Sequence, residues 1–484
     1  MSFASCYDII IVGAGIAGVN CGYRVQTLLP DHTYAILEAR NSAGGTWDLM
    51  RYPGVRLDSD IYTFGFSWYP FPHSQTVLDG NTVLNYINDA AKKHCIYDHI
   101  LLNHRVTKAT WSSDTHNWNL IAEADDRKLC FCARYVIFAT GYFDYHEPLP
   151  VQIRGLHNFK GRVIHPQFWP ESLDYSEKKV VVVGNGATAI SLVPKLAETA
   201  LGITIVQRSP HYVLPTSSGG DDSPIMRLLP TALSYWLKRL GWLSLTLLGY
   251  YACRRFPRAA RDYMLSMVRD ELPEHVPHDL HFRPKYNVWD QRLLTCLDGD
   301  LFKSIRDRKV NIETASIQNC TANGLLLEDG KTINADLIVT ATGIKPQIAG
   351  SIQVGIDGSR CDVSERFMWK GMMLQGFPNA FFALGYLTSA SWTMGTDLTA
   401  LFACRLIRHM KGKNRLAATP HMRELSDLTE RPLWNLRSTY MTTARSNLPK
   451  AGNFGPWKPR SNYLWDYIQA CYGSFEGLEF FEGF

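Results

Sequence analysis

The chain has 484 residues, 46% of them hydrophobic, and carries 50 Lys and Arg against 45 Asp and Glu, a formal net charge of +5. That length exceeds one ordinary core and fits two or three packed domains. The small basic excess argues for neither a nucleic-acid partner nor an acidic tail. Eleven cysteines show neither metal-ligand spacing nor any CxxC, which argues against a bound metal and against a redox-active dithiol.

The first apolar run, Ile9 to Val12, follows Asp8 and not a basic region, and it runs straight into glycines. It reads as a strand, not an export signal; with an odd cysteine count this points to a reducing, cytoplasmic setting. Tyr7 to Gly18 is strand, glycine turn and helix, the helix ending before Pro30, with a second strand from Thr33 to Leu37. Gly13 permits the tight turn, Gly15 lets the backbone approach a pyrophosphate, Ala17 lies in the turn-facing start of the helix, and Gly18 allows helix and strand to pack closely. Glu38 ends the second strand, where a carboxylate accepts hydrogen bonds from a ribose diol and repels a 2′-phosphate. The site therefore suits an unphosphorylated adenosine, as in FAD or NAD. Arg40, Gly45, Thr46, Trp47, Asp58 and Val106 are expected beside the same nucleotide. Further on, Cys130 and Cys132 form a CxC in an apolar strand and read as two small core-facing residues.

Lys178 to Leu192 repeats the arrangement with Gly184, Asn185, Gly186, Ala187, Thr188 and Ala189, and a second strand at Ile203 to Val206 delivers Gln207, Arg208 and Ser209. Glu38 lies 25 positions after Gly13 and Arg208 lies 24 after Gly184, so the registers agree. A guanidinium in place of a carboxylate turns repulsion of a 2′-phosphate into a charge-assisted contact, which points to NADP(H). One acidic and one basic site imply two cofactors, FAD at the first and NADPH at the second.

Two runs end alike, Tyr135 to Gly141 and Leu337 to Gly343, each a strand closing on Ala-Thr-Gly. Such strands are natural crossing points between two nucleotide domains. Residues 216–285 read as a helical insertion; within it Leu240 to Cys253 is apolar, bracketed by Lys238, Arg239, Arg254 and Arg255, and is expected to be a buried helix, although such flanks also mark interfacial helices. Gly371 to Thr396 is uncharged in long part but too rich in polar residues to span a bilayer. The expected fold is α/β, with two Rossmann-like dinucleotide-binding domains and a helical insertion. Its expected divisions are 1–145 for the first part of the FAD domain, 150–215 and 286–370 for the NADP domain around the insertion, and 371–484 for the return to the FAD domain.

Phe159-Lys-Gly161-Arg-Val-Ile-His165-Pro-Gln-Phe-Trp169-Pro170 resembles the FxGxxxHxxxWP fingerprint of type I Baeyer–Villiger monooxygenases, and Gly44 to Asp48 and Arg51 to Asp58 look like the same family. The likeness is nearest to the ethionamide-activating subgroup and covers nearly the whole chain, weakest in the last 70 residues. It implies that the fingerprint lies at a domain linker and supports the active conformation, with Gly161 supplying a backbone turn and His165 acting as no base. It also implies that Arg292 is the catalytic arginine and Asp58 the carboxylate that orients it. Read without the family, both are more ordinary surface charges. Where many members carry a lysine before that arginine, this chain has Gln291, which leaves NADPH selectivity leaning on Arg208.

The chemistry so implied is reduction of FAD by NADPH, formation of a C4a-peroxyflavin with O2, and transfer of one oxygen to a small ketone or sulfide. No nucleic-acid partner or transmembrane span is expected, peripheral membrane contact is left open, and the sequence does not set the oligomeric state. Trp392 either borders the substrate pocket or packs in a core. The rival readings are a flavin-containing heteroatom oxygenase, against which Trp169 speaks; an NADPH-dependent flavin reductase or oxidase; a disulfide reductase, which the absence of CxxC opposes; and a nucleotide-binding sensor, which would leave Arg292 and Asp58 without a purpose.

Overall fold

The computed structural model describes all residues except 1–4, 74, 126, 220–225, 227, 387–389, 423–427, 435, 437 and 483–484. Ser389, on the approach to Trp392, part of the expected insertion and the last two residues therefore lie outside the described residues.

Strand β1 (Ser5–Val12) is flanked in parallel by β2 (Tyr34–Leu37) and by the C-terminal half of a long strand, Arg127–Phe138. Ile9, Ile10 and Ile11 are fully buried, as a central strand covered on both faces requires. A short β3 (Ile100–Leu101) extends the sheet beyond β2, and β4 (Arg105–Ser112) and β5 (Asn117–Ala124) form an antiparallel meander with the long strand, β6. The sheet has nine strands, and its last members come from the far end of the sequence: Gln353–Ile356 pairs with β4 and Ala380–Phe382 with β6. The C-terminal third thus returns to the first sheet. Helix Trp392–Gly412 locks it there against helix α1 (Ile16–Leu28), where Asp397 takes Arg24 at 2.8 Å and Asn20 at 3.0 Å.

The second sheet is parallel throughout, built around Lys179–Val183 with Gly202–Gln207 on one side and Leu337–Thr340 on the other. Arg162–Ile164 and Val310–Thr314 form its edges. A helix, Ala187–Leu196, follows the central strand as α1 follows β1. Both sheets are the doubly wound kind that the two glycine turns predict, so the α/β expectation holds.

Two expectations fail. Cys130 and Cys132 do not face the core: on β6 it is Phe131, Ala133 and Tyr135 that are buried, while the cysteines are half-buried on the opposite face and Cys132 is disulfide-bonded to Cys6, its register partner on β1. An apolar run fixes the alternation of a strand but not which face finds the core. The apolar stretch Leu240 to Cys253 belongs to a 25-residue helix, Thr231–Arg255, yet it is not buried: Leu240, Leu245 and Leu248 are 60%, 62% and 67% exposed. Only the inner side of that helix meets the body of the protein. No helix among the described residues is long and apolar enough to cross a membrane.

Candidate active site

The two glycine turns sit over the two Ala-Thr-Gly strand ends. Gly13 has φ +102°, and a Cβ there would lie 2.7 Å from the Ala139 carbonyl oxygen; Gly184 has φ +113°, and its Cβ would lie 2.3 Å from that of Ala341. This is why the runs at Tyr135 and Leu337 end alike: each supplies the floor of a turn. Gly18 packs its helix onto the first turn so closely that a Cβ would meet the Gly13 oxygen at 1.8 Å, whereas the equivalent Ala189 is accommodated and buried. Gly15 and Gly186 are the N-caps of their helices, with no side-chain cap and no acidic residue in either first turn. Their free N–H groups therefore face the cavity as anion-binding ends, and around Gly186 a Cβ would meet nothing within 4 Å.

Both helix ends open into one cavity of about 1010 Å³, at the top of the range for small-ligand sites, roughly 300–1,000 Å³. Gly13, Gly15, Ala17, Glu38, Gly45, Thr46, Trp47, Asp58 and Val106 line it on one side, and Gly184, Asn185, Gly186, Ala187, Thr188, Gln207, Arg208 and Ser209 on the other, with Arg292 and Trp392. Gly18 and Ala189 act behind the wall. Arg40 is not on the wall either: its guanidinium is held by Asp48 at 2.5 and 2.8 Å.

Glu38 is buried, and its two carboxylate oxygens accept from Ala14 N–H at 2.6 Å and Arg40 N–H at 2.9 Å. Burial raises its pKa, opposed by those two backbone donors and by Arg40. Each oxygen keeps a lone pair for a ribose hydroxyl, so the residue fits an unphosphorylated adenosine. Thr46 Oγ1 lies 2.9 Å from Tyr145 Oη, which fixes the loop that Gly44 and Gly45 form against Gly15.

On the other side, Gln207 is spent on structure: its amide donates to His281 O and Thr314 Oγ1, both at 2.8 Å, and accepts from Asn185 Nδ2 at 2.5 Å. Asn185 also donates to Ser209 O at 2.9 Å. Arg208 differs. It is exposed, donates to Thr439 Oγ1 at 3.2 Å, and pairs with no carboxylate among the described residues. A free guanidinium beside an uncapped helix end suits a 2′-phosphate. Replacing Arg208 with Ala is expected to raise the KM for NADPH by roughly 10- to 100-fold, the worth of one charge-assisted contact, and to leave the KM for NADH nearly unchanged. Steady-state kinetics with both nucleotides checks it.

Three residues beyond Arg208, His211 turns into the same cavity with its Nδ1 2.6 Å from Tyr286 Oη. Burial lowers its pKa from 6.5 to about 4. Between those values the unfolded chain takes up a proton that the folded one refuses. Stability from this site is therefore intact above pH 6.5 and is lost as the pH falls toward 4. Melting temperatures across that window should fall less steeply in His211→Gln than in the unsubstituted protein.

Arg292 and Asp58 arrive from loops far apart in sequence, and Arg292 Nη2 donates to Asp58 Oδ1 at 2.8 Å. A second ion pair, Arg56 to Asp300 at 2.5 Å, ties the same two segments together. The Asp58 loop is seated by Gly54, whose φ of +79° brings it against the Ser191 carbonyl, where a Cβ would come within 2.3 Å. Burial alone would lower the Arg292 pKa, but Asp58 and the Tyr142 and Tyr440 phenols beside it hold it above the ordinary value. The guanidinium is a permanent cation on the cavity wall. Trp392 does both: half-buried at the start of its helix, it lines the cavity, packs on Tyr142 with ring centroids 4.4 Å apart, and rests against the buried cluster that contains Phe138 and Phe382.

The fingerprint residues lie outside the cavity. His165 Nε2 is 3.1 Å from the Gly343 carbonyl oxygen and its Nδ1 accepts from Gln167 N–H at 3.2 Å, so the ring is neutral, and burial lowers its pKa. It joins the strand end at Ile164 to the second Ala-Thr-Gly floor. Gly161 makes no left-handed turn; glycine is required there because a Cβ would come within 2.5 Å of the Asp336 oxygen and 2.6 Å of the Phe159 ring. Phe159 and Trp169 are buried in separate clusters, and Pro170 follows Trp169 as the chain leaves a short 3₁₀ turn.

Sequence reasoning missed several wall residues: Tyr142, Tyr145, Thr342, Thr439 and Tyr440. Thr342 Oγ1 is buried without a hydrogen-bond partner among the described residues, and it fits a polar group of a nucleotide bound at the Gly184 turn. Tyr142 and Thr342 stand within two residues of the recognised strand ends and could have been found from them. Thr439 and Tyr440 come from the C-terminal segment, where no local pattern marks them.

A family profile described as flavin-binding monooxygenase-like matches residues 9–433. The chain is 40% identical over 477 residues to the FAD-containing monooxygenase EthA of Mycobacterium tuberculosis, covering 98% of this chain and 97% of that protein. It is 38% identical over 464 residues to EthA of Mycolicibacterium smegmatis, with 95% and 94% covered. Among solved structures, an oxidized steroid monooxygenase bound to NADP superposes with a TM-score of 0.77 at 20% identity, over 99% of this chain and all of that one. A complex of OTEMO with FAD and NADP gives 0.76 at 21% identity, again over 99% and 100%. An acidic and a basic nucleotide site opening on one cavity are what such an enzyme needs, and the chain belongs to the flavin-binding monooxygenase-like family as a flavoprotein monooxygenase.

Proposed function

We propose that the protein uses FAD and NADPH to insert one oxygen atom of O2 into a ketone, giving an ester or lactone, and that it oxidises soft sulfur nucleophiles at the same site. The observation that carries the reading is the Arg292–Asp58 ion pair on the wall of a cavity shared by both nucleotide sites. Bound FAD supplies hydride acceptance from NADPH and activation of O2. The chain supplies the rest. Glu38 and the free end of α1 hold the flavin nucleotide, while Arg208 and the helix end at Gly186 hold NADPH across the cavity from it. Arg292 is a fixed positive charge that stabilises negative charge developing on oxygen, with no reorganisation at the moment of reaction, and more strongly the drier the cavity. Asp58 orients the guanidinium, and Trp392 with Tyr142 gives that wall an apolar face that excludes water.

A cyclohexanone monooxygenase, named for a ketone, is among its structural neighbours and supports a ketone substrate. A ketone and a thioether of matched size offered together to the FAD-loaded protein with NADPH test this. Ester or lactone formed alongside sulfoxide is expected; sulfoxide alone would favour the heteroatom oxygenase.

A further inference from the structure

Among the described residues, the longest helix with an exposed apolar side that the monooxygenase reading leaves unused is Thr231–Arg255. Trp236, Leu240, Leu245, Leu248 and Tyr251 are each half or more exposed and fall on one half of the helix. At 1.5 Å per residue the strip from Trp236 to Tyr251 runs about 22 Å along the helix, a continuous line and not the singly scattered apolar exposure of ordinary surfaces. Its inner side is firmly held. Arg239 donates to the Tyr62 carbonyl and, at 3.0 Å, to that of Gly65, and Tyr235 Oη donates to Tyr62 O and Phe66 O at 3.2 and 3.3 Å. The exposed leucines are therefore presented by a seated helix.

The charges around the strip identify what covers it. No Asp or Glu occurs between Thr231 and Phe256. At its C-terminal end Arg255 and Arg258 are exposed, with Arg255 lying over the Phe256 ring at 5.2 Å, and neither is ion-paired among the described residues. A second copy of the chain would bring the same unbalanced cations to the interface and no carboxylate to meet them. A bilayer containing anionic lipid meets both needs: acyl chains for the leucines, headgroup phosphates for the arginines, and an interfacial zone for Trp236 and Tyr251.

We propose that helix Thr231–Arg255 lies flat in the surface of an anionic membrane and docks the enzyme there. The helix holds Tyr62 and Gly65, just after Asp58, so the membrane contact lies next to the segment that carries the carboxylate orienting Arg292. A lipophilic substrate dissolved in the bilayer would be concentrated on that side of the protein.

The test uses the full-length, FAD-loaded protein and vesicles of phosphatidylcholine with or without phosphatidylglycerol. The protein should co-sediment with the anionic vesicles and much less with the neutral ones. Binding should fall at least about tenfold in Leu240→Gln/Leu245→Gln/Leu248→Gln and in Arg255→Gln/Arg258→Gln, and in high salt. Both variants should keep their FAD content and NADPH oxidation in solution, which shows that they are folded. Absence of binding to anionic vesicles, or binding that survives the triple substitution, would overturn the proposal. So would a dimer that binds no vesicles and dissociates in the triple variant, since the strip would then be a contact between copies.

Discussion

Replacing Arg292 with Ala is expected to lower the rate of oxygenated product formation by about 10²- to 10³-fold, the usual cost of one preorganised donor at a developing oxyanion. NADPH should still be consumed, because the residues assigned to nucleotide binding, Glu38, Arg208 and the two helix ends, are untouched. The consumed O2 should then appear as hydrogen peroxide. The loss includes more than a contact, since Asp58 is left facing the cavity without its 2.8 Å partner. Arg292→Lys should recover little, because an ammonium on a flexible stem cannot hold the Asp58 bond and point a second N–H group at the reacting oxygen. Parallel assays of NADPH, product and peroxide check this; product formation unchanged in Arg292→Ala would remove the arginine from the chemistry.

The second large effect separates two glycines that look alike in sequence. In Gly18→Ala the new Cβ would lie 1.8 Å from the Gly13 oxygen, so the turn itself must move. Overpacking of a rigid contact costs about 1–3 kcal/mol or more, and here it distorts the loop that carries the flavin nucleotide. The expected result is protein purified with little or no FAD and a lowered melting temperature. Gly186→Ala is the opposite case. Its backbone is extended and its Cβ would meet no protein atom, so FAD content and melting temperature should stay as they are. The methyl group would instead stand where a pyrophosphate approaches the helix end, raising the KM for NADPH on the order of tenfold or more. Flavin absorbance, thermal melts and NADPH kinetics on the two variants distinguish the roles.

What could be read from the sequence follows how local each determinant is. The strand, turn and helix at Tyr7 to Gly18 and at Lys178 to Ala189 are consecutive residues with fixed backbone demands, so both sheets and both helix ends were legible, and so was the contrast between Glu38 and Arg208. The side of a strand or helix that meets the core is decided by distant partners. The apolar run predicts Cys130 and Cys132 inward, but on β6 it is Phe131 and Ala133 that pack in the buried cluster, beside Leu120 and Trp118 of β5. Leu240 to Cys253 reads inward for the same reason, yet the helix that carries it packs on Ile61–Phe64 and Pro257–Glu271 with its inner side and leaves the other side exposed. Arg292 and Asp58 were visible only through the family likeness. Nothing near either residue shows that they meet, and their bond depends on the Gly54 turn and the Arg56–Asp300 tie. Tyr440 reaches Arg292 from a segment with no motif at all, so it could be found only in three dimensions.

The central claim is that one atom of O2 is inserted at this site at the expense of NADPH. Incubating the FAD-loaded protein with NADPH, a ketone and ¹⁸O2, then weighing the product by mass spectrometry, tests it most directly. An ester or lactone that carries a single ¹⁸O atom and forms in step with NADPH oxidation is the expected result. NADPH oxidation that yields only labelled hydrogen peroxide, with no labelled organic product from ketone or thioether, would contradict it.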